Sequence, residues 1–262
     1  FYQALTQFIG FPHYGDEYKV MGLAPYGKPK FVNQLSEVVQ TNSDGTFELN
    51  LDFFRHHKEN IKYEWSGGSP EVGSLFNGSA FEELLGVKVR NKNMPLDNRH
   101  YDLAHSIQAV YEEVFFNLLE VTHAKYGLDQ LTLAGGCAMN SVANGKVYRR
   151  SPYRQLYIQS AAGDAGGAIG AAYFVASELG ETKERFHMDH AYWGPSFDDN
   201  YHEQMIAKNK EELENNGCRV LKCVDEDDLC LQIAKSISEG LVIGWFQGRM
   251  EFGPRALGGR SI

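Results

Sequence analysis

The strongest periodic pattern in the chain runs from Asp102 to Tyr126, where apolar residues recur at intervals of three and four positions. The recurring residues are Leu103, Ile107, Val110, Val114, Leu118 and Val121. Because this spacing places side chains on one face of an α-helix, it predicts a single long helix with one buried stripe. Asp102 suits the N-cap of this helix, and Gly127 suits the residue that ends it.

Two shorter units follow the predicted helix, and each passes from a strand through a glycine-containing loop into another helix. The predicted strands lie at 130–134 and 155–159, and the predicted helices at 138–148 and 164–179. Gly135 and Gly136 stand in the first loop, and Gly163 ends the second. A strand, loop and helix repeated in this order is typical of an α/β fold.

The segments on either side of this region show weaker patterns. Toward the start we expect helices at 1–11 and 31–39, a turn at 42–45 between two short strands, and short helices near 70–76 and 80–85. Toward the end we expect helices at 199–215 and 226–239 and strands at 219–222 and 241–246. A charged stretch followed by turn-forming residues predicts a domain boundary at about residue 190, which divides the chain into 1–189 and 190–262.

The composition narrows the class of protein. Hydrophobic residues make up 43% and charged residues 23% of the 262 positions, as in an ordinary globular protein. The formal net charge of −9 offers no positive field, so neither nucleic acid nor a membrane is an expected partner. Four cysteines without a CxxC pair favour reduced thiols and a cytoplasmic location. The chain opens without a methionine, and we expect it to be part of a longer protein.

The first glycine loop, LAGGCAMN at 133–140, suits an anion. Gly135 and Gly136 let the backbone turn tightly, and the following helix presents unpaired N–H groups and the positive end of its dipole. Asn140 and Asn144 are four residues apart on the predicted helix, so both amides would face the same nucleotide. The alternative is a tight turn with two surface asparagines, and the motif alone leaves both interpretations open.

The second glycine loop, SAAGDAGGAIGAAY at 160–173, surrounds Asp164 with glycines. Its carboxylate can cap the helix, or it can bind a metal that bridges to phosphate while the glycines leave space for the base and ribose. The spacing matches neither the Walker A nor the GxGxxG pattern, which argues against P-loop and Rossmann sites.

A third loop, GRMEFGPRALGGRS at 248–261, concentrates Arg249, Arg255 and Arg260 among glycines. Guanidinium groups bind phosphate or carboxylate in a bidentate manner, so the loop predicts an anion site. In the alternative interpretation it is a loop at a domain interface whose arginines pair with Glu251 or with other acids.

Four motifs in this order resemble the NodU/CmcH family of O-carbamoyltransferases: GDEYKVMGLAPYG, LAGGCAMN, AAGDAGGAIGAA and GRMEFGPRALGGRSI. The resemblance covers nearly the whole chain. It implies that 1–189 is the C-terminal part of an actin-like ATPase domain, similar to the universal tRNA threonylcarbamoyl-transfer protein. It also implies that 190–262 begins a YrdC-like domain. Both are α/β folds.

The resemblance further implies a two-stage reaction. ATP and carbamoyl phosphate give carbamoyl-adenylate, and the carbamoyl group then moves to a hydroxyl of a small molecule or glycan. The resemblance leaves open whether the protein forms a homodimer.

The same resemblance assigns roles to individual residues. Nucleotide binding falls to Gly135, Gly136, Ala138, Asn140, Gly163 and Gly166. Asp164 becomes a ligand of a divalent metal, Fe²⁺ by analogy with the family. The carbamoyl phosphate site falls to Arg249, Arg255 and Arg260. Glu17 and Lys19 lie in a motif that faces the transfer site. The transfer also requires a general base, which the resemblance does not assign, and Asp52 is our candidate for it.

Some features depart from the family pattern. The two histidine metal ligands of the family are expected upstream of Phe1, Ser160 stands where Pro is usual, and Gly259 where Asn is usual. Most of the YrdC-like domain is also missing, so we expect the chain alone not to complete carbamoyl transfer. Three other functions remain open: a kinase of the actin-like superfamily, a tRNA threonylcarbamoyl transferase, and a nucleotide-binding scaffold without catalysis.

Overall fold

The computed structural model describes residues 1–181 and 186–262 and shows a mixed α/β protein. The helices of the first half are α1 (Tyr2–Phe8), α2 (Glu17–Leu23), α3 (Val32–Leu35), α4 (Gly78–Leu85) and α5 (Asn98–Tyr126). Those of the second half are α6 (Ser141–Asn144), α7 (Val147–Arg150), α8 (Gly167–Glu178), α9 (Asp199–Lys208), α10 (Lys210–Asn215) and α11 (Glu226–Ser238). Short 3₁₀ helices lie at Ala24–Tyr26, Leu51–Phe53, Gly136–Met139 and Asp164–Gly166.

Among the described residues, the strands form four separate two-stranded sheets. They are β1 (Val39–Thr41) with β2 (Phe47–Leu49), β3 (Tyr63–Glu64) with β4 (Glu71–Val72), β5 (Gln130–Leu133) with β6 (Gln155–Ile158), and β7 (Trp245–Phe246) with β8 (Arg260–Ser261). The pair β1 and β2 is the predicted hairpin around the turn at 42–45, which is confirmed. The helix expected near 70–76 is wrong, because Glu71 and Val72 pair with β3 instead.

The chain divides into two compact units. Unit 1 comprises residues 1–133 and 137–157, and unit 2 comprises residues 134–136 and the described residues of 158–262. These units do not divide the chain at the predicted boundary near residue 190. The assignment of 1–189 and 190–262 to two family domains therefore stays a prediction.

The core of unit 1 forms around the first half of α5. Leu103, Ala104, Ile107 and Val110 pack there with apolar residues of α1, α4 and the hairpin. The long helix is confirmed, but its apolar stripe differs from the predicted one toward the C-terminal end. Phe116 and Leu119 are buried in a second cluster, whereas Leu118 is exposed.

The start of α5 lies four residues before the predicted one. Asp97 is the N-cap, and its carboxylate accepts hydrogen bonds from the backbone N–H groups of Arg99 and His100. His100 in turn accepts a bond from the Asp97 N–H, which completes a capping box. Gly127 ends the helix in the left-handed conformation, as predicted.

Asp102 is therefore not the cap; its side chain holds the loop that follows α2. Its carboxylate accepts hydrogen bonds from the Lys28 backbone N–H at 2.8 Å and the Lys30 ammonium at 2.7 Å. The hydrogen bond from Lys30 lowers the pKa of Asp102 below its ordinary value. In the same loop the backbone of Gly27 meets α5 so closely that a Cβ there would overlap the carbonyl of Tyr101. This close contact explains why Gly27, the last residue of the GLAPYG motif, is a glycine, and the explanation requires no ligand.

The helix predicted at 138–148 is broken into three short pieces. The 3₁₀ helix ends at Met139, Asn140 caps α6, and α7 begins only at Val147. A residue that caps a new helix cannot continue the preceding one, so the break at Asn140 has a local cause.

Unit 2 follows the predicted order of helices but not of strands. The strand expected at 219–222 is absent among the described residues of this unit, and the strand expected at 241–246 shortens to β7. Helices α8, α9, α10 and α11 contain no buried residue. Within the described part of the chain, no helix is both long and apolar enough to cross a membrane.

Candidate functional site

The two glycine loops lie next to each other. Strands β5 and β6, which precede the two loops, pair in one sheet. The backbone N–H of Gly135 donates a hydrogen bond to the carbonyl of Ala162 at 2.7 Å, which joins the first loop to the second. The family resemblance gives residues of both loops to one nucleotide, and this bond brings the two loops together.

Open space surrounds several glycines of these loops. A Cβ built on Gly135, Gly136, Gly167 or Gly170 would meet no described atom within 4 Å. Gly166 differs, because a Cβ there would overlap the carbonyl oxygen of Ala161. Gly166 is therefore required by the packing of the loop, and Gly135 by its left-handed backbone with φ +95°. Gly136, Gly167 and Gly170 leave open space beside the backbone.

Asp164 lies on the surface of the second loop, in the first turn of a 3₁₀ helix that leads into α8. The residue before the helix, Gly163, provides no side-chain cap. Among residues 1–181 and 186–262, no three His, Cys, Asp or Glu side chains are grouped to hold a metal. The described side chains around Asp164 thus do not by themselves fit a divalent ion, which needs several ligands.

Asn140 is held by α5. Its Oδ1 accepts hydrogen bonds from the Ala143 backbone N–H at 3.0 Å and from Gln108 Nε2 at 3.1 Å. Its Nδ2 donates to Gln108 Oε1 at 2.9 Å. The two amides thus pair reciprocally, and the side chain shapes the turn after the glycines. Ala138, just before it, is buried.

A buried carboxylate, Glu112, stabilises the same turn from α5. Its side chain is 5% exposed and accepts hydrogen bonds from Lys146 at 2.6 and 2.8 Å and from Arg150 at 2.8 Å. Gln108 Nε2 donates to it at 3.0 Å. Sequence reasoning missed Gln108 and Glu112, because their partners lie more than 30 residues away along the chain.

Unit 1 has a cavity of about 230 Å³ beside this network. Its walls include Met21 and Ala24 of the GLAPYG motif, His105 and Glu112 of α5, and Lys146. The His105 ring bonds the carbonyl of Ala24 at 2.9 Å and so fixes one side of the cavity. The motif at 15–27 and the segment after LAGGCAMN therefore face the same cavity.

Lys19 projects from α2 toward Asp16, the residue before that helix. The Lys19 ammonium lies 2.6 Å from the Asp16 carboxylate and 5.3 Å from the centre of the Phe11 ring. Asp16 is buried and also accepts a hydrogen bond from the His13 backbone N–H at 3.0 Å. Of the GDEYK residues, Asp16 is the buried acid that orients Lys19, and sequence reasoning did not select it. Glu17 begins α2.

Asp52 lies elsewhere in unit 1, on the 3₁₀ helix at Leu51–Phe53. It lines a separate cavity of about 510 Å³ together with Arg55, Lys58 and Asn77. Neither Glu17 nor Lys19 is among the described residues that line this cavity. The structure therefore does not bring the three candidate catalytic residues to one cavity.

Two of the three arginines of the last loop bind backbone carbonyls. Arg249 donates to the carbonyls of Gly194 at 2.5 Å and Trp193 at 3.3 Å. Arg260 donates to the carbonyl of Gly253 at 2.6 Å, and its Nε lies 3.8 Å from the Glu251 carboxylate.

Glu251 is buried and accepts hydrogen bonds from the Leu257 and Gly259 N–H groups. Through these contacts Arg249 and Arg260 stabilise the conformation of the loop. Arg255 belongs to the same loop, and the carbamoyl phosphate site expected for all three arginines stays a prediction.

Comparisons with known proteins identify the family. Residues 1–173 match the family description "Carbamoyltransferase N-terminus", and residues 234–262 match "Carbamoyltransferase C-terminus". Nodulation protein NolNO of Sinorhizobium fredii and nodulation protein NolO of Bradyrhizobium diazoefficiens are each 35% identical to this chain. An uncharacterized protein of Synechocystis sp. is 40% identical.

Each of these matches covers 100% of the chain. The chain in turn spans 34% of the length of NolNO, 42% of NolO and 40% of the Synechocystis protein. The first family description alone covers about two thirds of the chain, from its first residue through both glycine loops. The chain therefore belongs to the carbamoyltransferase family.

Proposed function

We propose that this chain is the nucleotide-holding part of an ATP-dependent O-carbamoyltransferase. The observation that carries the proposal is the direct bond between the two glycine loops, Gly135 to Ala162, inside the region that matches the family. One loop alone is explained by a tight turn. Two loops joined at their bases, with open space beside four glycines, suit one extended anionic ligand such as ATP.

The proposed chemistry has two stages. Water first cleaves carbamoyl phosphate to carbamate and phosphate. The carbamate oxygen then bonds to the α-phosphorus of ATP and displaces pyrophosphate, which gives carbamoyl-adenylate. The acceptor oxygen then bonds to the carbamoyl carbon, the bond from that carbon to AMP breaks, and the hydroxyl proton passes to a base.

In the second stage negative charge grows on the carbamoyl oxygen and on the leaving phosphate. In this proposal other backbone N–H groups of the glycine loops would stabilise such charge, since the N–H of Gly135 is already bonded to Ala162. Lys19, held by Asp16, supplies a positive charge near the GLAPYG motif. Asp52 remains the proposed base, in a cavity large enough for an acceptor. Fe²⁺ at Asp164 remains a proposal, and no step above depends on it.

The finer fold and the acceptor are also proposals. We infer an actin-like ATPase part at 1–189 and the start of a YrdC-like domain at 190–262, where the arginine loop would meet carbamoyl phosphate. The acceptor is a hydroxyl of a small molecule or glycan. The net charge of −9 supports a neutral or cationic acceptor over nucleic acid.

The decisive experiment follows the products in the longer protein that contains this chain. With ATP, carbamoyl phosphate and a hydroxyl acceptor, carbamoyl transfer predicts AMP and pyrophosphate that appear only when carbamoyl phosphate is present. Transfer of the labelled γ-phosphate to the acceptor would instead establish a kinase. ATP binding without any product would indicate a nucleotide-binding scaffold without catalysis. The same assay on the 262-residue chain alone is expected to give no carbamoylated product.

A further inference from the structure

The polar network on α5 points to a role beyond the glycine loops themselves. We propose that Glu112 is a positioning residue: through Gln108 it holds Asn140, and thereby fixes the turn that leaves the first glycine loop. This inference rests on the proposed function for its link to ATP. The positioning itself rests only on contacts within unit 1.

The first step is the burial of Glu112. A carboxylate that is 5% exposed is costly to keep charged unless it is paired and fully hydrogen-bonded. Lys146 and Arg150 supply two cations, and both come from the segment that follows the LAGGCAMN motif. Arg150 also lies over the Phe116 ring, 4.2 Å from its centre, so its guanidinium has little freedom to move. Lys146 is the N-cap of α7 and Arg150 is its last residue, so the charge pairs attach α7 to the long helix.

The second step is the link from Glu112 to Asn140. The Gln108 amide group donates to the Glu112 carboxylate at 3.0 Å and to Asn140 at 3.1 Å. Its oxygen accepts bonds from Asn140 at 2.9 Å and from the Tyr2 hydroxyl at 2.9 Å. Glu112 accepts only, so it forces the NH₂ of Gln108 toward itself and determines which way the Gln108 amide faces. The orientation of the Gln108 amide then determines which atoms of the Asn140 amide form hydrogen bonds with it.

The third step is the consequence for the turn. Asn140 Oδ1 is the acceptor for the Ala143 N–H, an orphan donor of the first turn of α6. Asn144 closes the other side of the turn by donating to the Ala138 carbonyl at 2.7 Å. If the Gln108 amide reversed, its pairing with Asn140 would be lost, and the turn would lose its fixed shape. A turn fixed before the ligand arrives binds it more tightly, because less freedom is lost on binding.

The Ala143 amide hydrogen is a direct reporter of this arrangement, since its acceptor is the Asn140 side chain. We expect Glu112→Ala to accelerate hydrogen exchange at Ala143 by at least about tenfold relative to exchange at Ile107 of α5, a change of about 1.4 kcal/mol. Glu112→Gln should give a smaller acceleration, because an amide can still accept from Gln108. Glu113→Ala, on the exposed side of the same helix, should leave the ratio unchanged.

A second control separates positioning from loss of stability. Val110→Ala removes buried atoms from the same helix without touching the network. If Val110→Ala raises the ratio of Ala143 to Ile107 exchange as much as Glu112→Ala does, or if Glu112→Ala leaves that ratio unchanged, the inference is overturned.

The link to the nucleotide is tested by titrating the same variants with ATP. We expect the Kd for ATP to rise about tenfold in Glu112→Ala and to stay unchanged in Glu113→Ala. If Glu112→Ala accelerates Ala143 exchange and yet binds ATP as the wild type does, the role in ATP binding is wrong. If the wild-type chain itself binds no ATP, the proposed nucleotide site fails, and the exchange data still decide whether Glu112 positions Asn140.

Discussion

Unit 1 encloses its apolar side chains, whereas unit 2 leaves most of its own in water. Leu103 and Ile107 of unit 1 are 0% exposed, while Phe174 and Leu231 of unit 2 are 67% and 69% exposed. The buried residues among the described part of unit 2 are Ala161, Ala162, Ala191, Glu251 and Gly259. Burial of apolar surface is the main favourable term in folding, so unit 1 should carry most of the stability of the chain.

Helix α8 is an example of this difference in burial between the two units. Its sequence is apolar on all sides, which is typical of a helix inside a protein, and yet none of its residues is buried. Large exposed apolar surfaces mark places where other protein surface binds. The chain spans 40% of the length of its Synechocystis relative, so that longer relative contains additional protein surface. Four predictions test the contrast between the units.

The largest expected effect is a cavity in unit 1. Leu103→Ala should lower the free energy of unfolding by about 2 to 5 kcal/mol, because a fully buried leucine leaves a cavity that cannot collapse completely. Leu231→Ala, the matched change in unit 2, should cost no more than about 0.5 kcal/mol. Denaturant melts of both variants provide the comparison. Equal losses would show that the two units are equally well packed.

The next effect concerns the glycine that meets α5. Gly27→Ala should destabilise unit 1 by about 1 to 3 kcal/mol, because the new methyl overlaps the Tyr101 carbonyl and the backbone must move. Gly22→Ala is the control, since open space surrounds that position inside α2. It should stabilise by about 0.5 to 1 kcal/mol through helix propensity. A Gly27→Ala protein as stable as the wild type would contradict the close approach.

A smaller and local effect is expected in unit 2. Glu251→Ala removes the acceptor of the Leu257 and Gly259 N–H groups and should lower the local opening free energy of that loop by roughly 1 kcal/mol. Limited proteolysis should then cut the loop at 251–260 faster while cleavage in unit 1 stays unchanged. Faster cleavage throughout the chain would mean that the units are not independent.

The smallest effect is a dependence of unit 1 stability on acid. The hydrogen bond from Lys30 lowers the pKa of Asp102 from 3.8. The carboxylate therefore stabilises the fold at pH values above the pKa that Asp102 has in the unfolded chain. The advantage of the wild type over Asp102→Asn should shrink as the pH falls from about 4 through the lower folded pKa. Lys30→Met should remove much of the same dependence. Parallel stability curves for wild type and Asp102→Asn from pH 7 to pH 2 would exclude this linkage.

The sequence predicted those features that depend on residues close together in the chain. Helix α5 has a long periodic pattern and the hairpin at β1 and β2 has turn residues, and both were found. The start of α5 was missed because its capping box uses His100, where Glu or Gln is the usual signal. The strand expected at 219–222 did not form, because a strand requires a partner and its own sequence does not reveal one.

The residues of the candidate site likewise fall into those that could be predicted from neighbouring residues and those that could not. The two glycine loops could be predicted from residues close together in the chain, whereas the bond between Gly135 and Ala162 was found only in the structure. The roles of Asp16, Gln108 and Glu112 depend on which distant side chains surround them, and a single sequence contains no direct signal of that. Asn140 was selected from its motif, but its pairing with Gln108 became visible only in the folded chain.

Hydrogen exchange with and without ATP shows whether the two joined glycine loops hold ATP. Saturating ATP should slow exchange of the backbone amides at 135–136 and 163–167, while amides near the separate cavity at Asp52 stay unchanged. Unchanged exchange in both loops at saturating ATP, or protection confined to the cavity at Asp52, would mean that the glycine loops do not hold ATP.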